Sequence, residues 1–280
     1  MRHTVANPMS IAILTLVAVV CARTTAFAAQ PPRHVGKHGG SAAAKEAAEA
    51  REANEKAKKK TAHYVTDEGA TGRLSWKEYT ANPRATGATT LLVVFGGRDS
   101  VRDGRGEVKV PAAIEAAIKH ANLLPDSGKL VILVPDMIVE WRRGGNGRET
   151  PVADGIPKLV RARAEVHGVK PERIFATGFS MGGGLVYKLL NEDPTLFSRA
   201  LVVGASGDSE AVSDIKADIL AYHGADDENI PIARVKALAE AVNAKKPGRM
   251  QVETLKKTGH AESESEAYSK KDAWKWLFSK

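Results

Sequence analysis

The sequence predicts an α/β fold, a mostly parallel, doubly wound sheet with helices on both faces. Three observations lead there. Short, fully apolar runs at 91–95 and 130–134 read as strands buried on both sides. These runs alternate with helical stretches, in the rhythm that β-α-β crossovers require. Finally, residues 173–184 pass from a strand through a tight glycine turn directly into a helix.

Taken in order, residues 74–79 alternate loosely and read as an early edge strand. The run 91–95 ends in Gly96-Gly97, and a helix over 111–120 follows with Pro111 in its first turn. The strand at 130–134 is stopped by Pro135. An irregular segment, 136–153, then carries Trp141, Arg142, Arg143 and Arg148. A helix over 154–167 leads into the strand 174–177, and the helix beyond the glycine turn carries Leu185, Val186, Leu189 and Leu190. Residues 200–203 and 219–223 are further strands, each followed by helical sequence. A last strand at 250–255 precedes a closing helix over 265–278. Within that helix Trp274 and Phe278 are four apart, so they share one face and read as core. His120 and His167 fall at helix ends, where a cation suits the dipole.

The first residues stand outside this pattern. Arg2 and His3 precede the apolar run 11–20, and Ala26-Phe27-Ala28 offers a small-x-small cleavage site, so 1–28 reads as a secretory signal peptide. The lone cysteine, Cys21, lies inside it. Val20 before it does not fit a lipoprotein site, and the mature chain is expected to have no thiol chemistry. Residues 29–61 read as a Pro/Gly linker and an Ala/Glu/Lys-rich helical spacer, with Glu52–Lys56 and Glu55–Lys59 at helix-stabilising spacing. The spacer's Lys56, Lys58, Lys59 and Lys60 offer an alternative role as a contact to the cell envelope. The folded domain is expected over 62–280, in a secreted or periplasmic protein. Of the formal charge of +8, residues 1–60 hold +6, from ten Lys/Arg against four Glu. The domain is thus nearly neutral, which discounts nucleic acid as a partner.

The glycine turn carries the chemistry. Gly178-Phe179-Ser180-Met181-Gly182 fits G-x-S-x-G, the nucleophile elbow, in which a strained strand-to-helix turn exposes a serine hydroxyl beside the free N–H groups of a helix start. Such a serine needs a base and a group to orient the base, both from loops at the carboxyl ends of later strands. His260, after the last strand and Gly259, is the best base candidate, placed in a polar loop. His223 closes a strand against Gly224 and reads as a structural, hydrogen-bonded histidine. For the acid, spacing leaves Asp226, Asp227 and Glu228 open. No H-E-x-x-H or Cys/His cluster is present, so neither a metal nor a cofactor is expected.

The elbow, the segment His223-Gly224-x-x-Asp227-x-x-Ile230-Pro231 and Gly259-His260 resemble the α/β-hydrolase superfamily. Within it they are similar to secreted bacterial esterases of the polyhydroxybutyrate depolymerase and feruloyl esterase type, over about 91–278. The resemblance implies the α/β-hydrolase fold and a triad of Ser180, Asp227 and His260, the acid being the fifth residue of the H-G-x-x-D segment. It also implies an oxyanion hole from the backbone N–H of Met181 and of Gly97. The family's histidine before the latter glycine is Phe95 here, so Arg98 is the alternative donor. Trp141, after Val134-Pro135, matches loosely a substrate-side tryptophan. The implied activity is hydrolysis of a small-molecule or polysaccharide-linked ester through an acyl-enzyme. A serine peptidase on the same fold and a non-catalytic binding protein are the alternatives. The arginines at 142, 143 and 148 read as a solvated basic loop, with a substrate carboxylate or acidic sugar as the other reading.

Overall fold

The computed structural model describes residues 64–71, 74–100, 111–136, 142–143, 149–150, 155–210, 212 and 214–279. The expected signal peptide 1–28, the linker and spacer 29–61, Trp141 and Arg148 lie outside the described residues. The strands are β1 (Tyr64–Thr71), β2 (Leu74–Ala81), β3 (Thr89–Phe95), β4 (Lys129–Pro135), β5 (Arg142–Arg143), β6 (Glu149–Thr150), β7 (Ile174–Phe179), β8 (Arg199–Val203), β9 (Asp218–Gly224) and β10 (Met250–Leu255). The helices are α1 (Ala112–His120), α2 (Ile156–Val166), α3 (Met181–Glu192), α4 (Ile232–Lys245), α5 (His260–Ser269) and α6 (Lys271–Phe278).

Eight strands form one sheet in the order β1-β2-β4-β3-β7-β8-β9-β10. From β4 to β10 all neighbours pair in parallel, while β1 and β2 add an antiparallel hairpin at one side. Alternation along β3 shows why both faces must be covered. Leu91, Val93 and Phe95 pack with α2, α3 and α4, whereas Leu92 and Val94 pack on the other side with α1 and α6. Trp274 and Phe278 lie in that second layer, fully buried with ring centroids 5.7 Å apart.

Several expectations need correcting. The strand at 74–79 is not an edge: β2 is paired on both sides, and β1 takes the outer place. β1 escaped notice because Asp67, Glu68 and Gly69 are poor strand formers, and its pairing with β2 supplies what propensity does not. Pro135 ends β4 from inside the strand, opposite Trp76. The segment expected to be irregular holds the two-residue ribbon β5–β6. Between β8 and β9 no helix occurs among the described residues of 204–217. The closing helix is two helices broken at Lys270, whose backbone is extended, and the Trp274 indole N–H donates to Tyr268 O across the break at 2.8 Å.

His120 also departs from expectation. It is buried and stacks on Trp274, with centroids 6.2 Å apart. Burial, then the charges of Lys119 and Lys271, push its pKa down, so the neutral ring is favoured despite the helix end. His167, the C-cap of α2, lies 3.0 Å from Glu78 Oε2, and Arg163 grips the same carboxylate through two bonds of 2.7 Å. Glu78 is only 2% exposed. Burial pushes its carboxyl up, but the hydrogen bonds and charges of Arg163 and His167 more than offset this and leave it below the ordinary value.

Candidate active site

Sheet register places the candidate residues at one rim. Phe95 on β3 lies opposite Gly178 on β7, so Gly97 and Ser180, each two residues further on, stand at the same level on adjacent strands. Gly97 also lies against Phe179, where an added Cβ would come within 2.9 Å of the ring. On the other flank, β9 and β10 pair in parallel with Leu255 opposite Gly224, bringing the loops that follow them together. Those loops are stitched: Ala225 N–H donates to Leu255 O at 2.8 Å and Asp226 N–H to Thr258 O at 3.1 Å. Gly224 permits this, because a Cβ there would meet Thr258 O at 2.3 Å.

Ser180 has φ 52° and ψ −116°, a backbone position that costs a non-glycine residue of order 1–3 kcal/mol. Its surroundings hold it there. Ser180 N–H donates to Val203 O on β8, and its carbonyl accepts the Gly184 N–H, each at 2.9 Å. Gly182 lets α3 close onto β3, since a Cβ there would lie 2.3 Å from Phe95 O. Met181 is the first residue of α3, so its N–H has no acceptor within the helix and points with the dipole toward the turn.

Ser180 Oγ lies 2.8 Å from His260 Nε2, and His260 Nδ1 lies 2.7 Å from Asp227 Oδ2. With the proton on Nδ1, the imidazole donates to the carboxylate and accepts the serine hydroxyl. Asp227 is buried, and its Oδ1 accepts the N–H groups of Asn229 (2.9 Å) and Ile230 (2.8 Å), so the carboxylate is held from both sides. Asp226 is exposed and points no acid at His260; burial, not spacing, separates the two neighbours. His260 is the first residue of α5 rather than a loop residue, a correction that turns on Gly259 as N-cap and Glu262 in the first turn. The Ser263 hydroxyl donates to His260 O at 2.6 Å and pins the backbone of the base.

The motif reading missed one contributor, Phe179, and read another, His223, as the buried, hydrogen-bonded histidine that it is. Phe179, the variable residue before Ser180, packs on the His260 ring with centroids 5.1 Å apart. His223 is fully buried behind Asp227 and bonded through Nε2 to Ile230 O at 2.7 Å. Phe179 was readable only as a neighbour of the motif serine, because its contact with His260 joins segments 80 residues apart.

A cleft of about 1100 Å³ opens beside Ser180 and Met181, between α3, residues 206–210 with Val212 and Ile215, and the start of α4. Leu185, Ile215, Ile230 and Leu238 give it an apolar bed, and Lys188, Asp208, Glu210 and Arg234 a rim of mixed charge. Gly97 and His260 are not among its walls. Among the described residues, no group of three or more His, Cys, Asp or Glu could hold a metal ion, and no helix is long and apolar enough to cross a membrane.

A mostly parallel sheet layered by helices, with a strained serine on a strand-to-helix turn, an acid from the loop after β9 and a histidine from the start of α5, defines an α/β-hydrolase fold. Comparison narrows the class: residues 139–279 match the dienelactone hydrolase family, and the chain belongs to that family of hydrolases. No curated protein matches the sequence. Among solved structures, a thermostable esterase is similar at 20% identity and a TM-score of 0.59, over 77% of this chain and 62% of that one. The chain thus spans less than two thirds of that esterase's length. A feruloyl esterase module from Clostridium thermocellum, solved with sinapinate, matches at 13% identity and a TM-score of 0.55, over 77% and 88%. Est1E from Butyrivibrio proteoclasticus matches at 13% and 0.54, over 77% and 97%. At these identities the likeness is one of fold.

Proposed function

We propose that the protein is a serine hydrolase that cleaves carboxylic esters through an acyl-enzyme. The observation that carries this reading is the continuous chain Asp227–His260–Ser180, with links of 2.7 and 2.8 Å, ending on a hydroxyl at the mouth of a cleft. Family membership and the esterase neighbours support it.

In the proposed reaction Ser180 Oγ attacks the ester carbonyl as His260 Nε2 takes its proton. The carbonyl oxygen becomes an oxyanion facing the N–H groups of Met181 and Gly97, each donor contributing about 3 kcal/mol. Arg98 remains the alternative to Gly97. His260 then returns the proton to the departing alcohol oxygen, leaving the acyl group on Ser180. Water enters, gives a proton to His260 and attacks the acyl carbon; the same proton comes back to Ser180 Oγ as the acid leaves. Asp227 fixes the imidazole tautomer and stabilises the imidazolium. No step passes through a metal or a cofactor.

The substrate is proposed to be a small-molecule or polysaccharide-linked ester, its acyl or alcohol part lying in the cleft between α3 and α4, with Trp141 on the substrate side. We assign the protein to the secreted esterases of the polyhydroxybutyrate depolymerase and feruloyl esterase type, on the sequence matches at the elbow, at 223–231 and at 259–260. Export to the periplasm or medium is supported by the signal-like residues 1–28, and contact with the cell envelope by the lysines at 56–60.

The test is turnover of p-nitrophenyl acetate and of peptide anilides by wild type and Ser180→Ala, with organophosphonate labelling of the serine. Ester turnover and labelling that both vanish in Ser180→Ala support the proposal. Turnover of anilides in preference to esters would make the protein a peptidase, and no labelling at all would make it a binding protein.

A further inference from the structure

His223 is an expensive residue for its place. It sits at the end of β9 with its side chain fully buried, where an apolar residue would pack without a polar atom to satisfy. One ring nitrogen is satisfied: Nε2 lies 2.7 Å from Ile230 O. The other is not. Nδ1 is buried with no hydrogen-bond partner. A carbonyl can only accept, so the proton belongs on Nε2 and Nδ1 keeps a bare lone pair. Leaving that atom unpaired is a cost of order 1 kcal/mol or more that a phenylalanine would not incur.

The other end of the ring's contacts explains what is gained. Ile230, whose carbonyl takes the His223 proton, donates its own N–H to Asp227 Oδ1 at 2.8 Å. Asp227 Oδ2, in turn, receives His260 Nδ1–H at 2.7 Å and lies 3.3 Å from His223 Nε2. The hydrogen bonds therefore run without a gap from His223 through Ile230, Asp227 and His260 to Ser180. The turn at 227–230 is closed on itself by Asp227 Oδ1, and Ala225 and Asp226 fasten its entry to β10 and the loop after it, which leaves the far end at Ile230 to be held. His223, fixed at the buried end of β9 beside Gly224, holds that far end through its bond to Ile230 O.

We propose that His223 is a positioning residue for the acid. Its Nε2–H anchors the Ile230 carbonyl and so sets the height and plane of the Asp227 carboxylate beneath His260. This rests on the roles proposed above for Ser180, His260 and Asp227. His223 touches no substrate and transfers no proton. It acts through Asp227, and its loss lets the carboxylate drift from the imidazole, a misplacement that costs about 10- to 100-fold in rate without touching the cleft.

The test uses His223→Phe, which keeps the ring and removes the donor, and His223→Gln, whose amide nitrogen reaches about as far as Nε2. Steady-state kinetics on an ester are paired with low-field proton NMR of the proton between His260 and Asp227. In His223→Phe kcat should fall ~10- to 100-fold with KM within about twofold, and the low-field resonance should shift or broaden. His223→Gln should restore both. A folded His223→Phe with wild-type kcat and an unmoved resonance overturns the proposal. So does a His223→Gln as impaired as the phenylalanine variant, because packing of the ring would then be what matters. Where His223→Phe does not fold, His223→Asn replaces it: its amide is too short for Ile230 O, so equal kcat in the Asn and Gln variants is the overturning result. Should the wild type neither turn over esters nor label with an organophosphonate, the esterase reading fails by itself. The resonance then still decides the role of His223.

Discussion

Among the described residues, Glu78 and Asp227 are buried carboxylates that meet histidines, and only at Asp227 does such a histidine reach on to a serine hydroxyl. At Glu78 the carboxylate is gripped by both arms of Arg163 at 2.7 Å, and His167 joins from the side at 3.0 Å. The guanidinium is cationic at every accessible pH, so the carboxylate's charge is already answered and the cluster acts as a clamp between β2 and α2. At Asp227 no Lys or Arg among the described residues pairs with the carboxylate. Backbone N–H groups take one oxygen and His260 the other, which leaves the far nitrogen of the imidazole 2.8 Å from Ser180 Oγ. The difference lies in what completes the carboxylate's shell. An arginine makes a fastening, while neutral donors leave a base that can accept a proton and give it back.

The sharpest way to break this contrast is at the serine. Ser180→Ala should lower ester turnover by about 10⁴-fold or more while circular dichroism stays native, measured by steady-state kinetics. The two acids should then respond in opposite ways. Asp227→Asn is expected to cost about 10⁴-fold in kcat, through the wrong imidazole tautomer, with little change in stability. Glu78→Gln should leave kcat within about twofold of wild type, yet lower the unfolding free energy by about 3 kcal/mol, because Arg163 loses its counter-charge where the carboxylate was buried. Urea titration beside a kinetic assay reads both. Comparable kinetic losses in the two variants would erase the distinction between fastening and base.

A smaller effect sharpens the picture of the elbow. Ser180→Gly should be more stable than Ser180→Ala by about 1 kcal/mol, since glycine adopts φ 52° without a Cβ penalty. The usual entropic advantage of alanine is outweighed at such a backbone position. Chemical denaturation of the two inactive variants provides the comparison.

The clamp also has a pH signature. Glu78 holds its carboxyl below the ordinary value, so as pH falls the unfolded chain takes up a proton before the folded one does. Its contribution is fully present above the usual glutamate range near 4.5 and is lost as pH falls through that range toward the folded value. The stability of wild type should therefore drop more steeply below that range than that of Glu78→Gln. His120 acts in the same direction at higher pH. Burial lowers its pKa from the ordinary 6.5, so stability declines as pH falls below that value, and His120→Phe should remove this slope. Melting temperatures across pH measure both.

The elbow was legible because its chemistry is written locally: Gly178, Ser180 and Gly182 fall within five consecutive residues, and a Cβ at either glycine would clash with the backbone packed on it. The central strands were legible for a related reason, since burial on both faces demands unbroken apolar runs. What the sequence hid depends on contact at a distance. Asp226 and Asp227 are chemically identical neighbours, and only the stitching of the β9 and β10 loops buries one and exposes the other. The resemblance, not the spacing, pointed to Asp227. β1 was hidden because its pairing with β2, not its composition, makes it a strand. His260 was expected in a loop because the helix it opens, Ala-Glu-Ser-Glu-Ser, has almost no apolar face to announce it.

The connection between β8 and β9 shapes the cleft beside the serine. Where a crossover helix would have filled the layer, residues 204–217 lie across it as described segments with no helix, and α3 and α4 are left facing each other over an open trough. One wall of that trough is formed by Ser206, Gly207, Asp208, Ser209, Glu210 and Val212, and none of these described residues belongs to a strand or helix. Exchanges in this wall change the shape presented to a ligand while the sheet keeps its bonding and the serine its setting. Selectivity in such a molecule can be rewritten from one short stretch of chain, with the reactive groups left as they are.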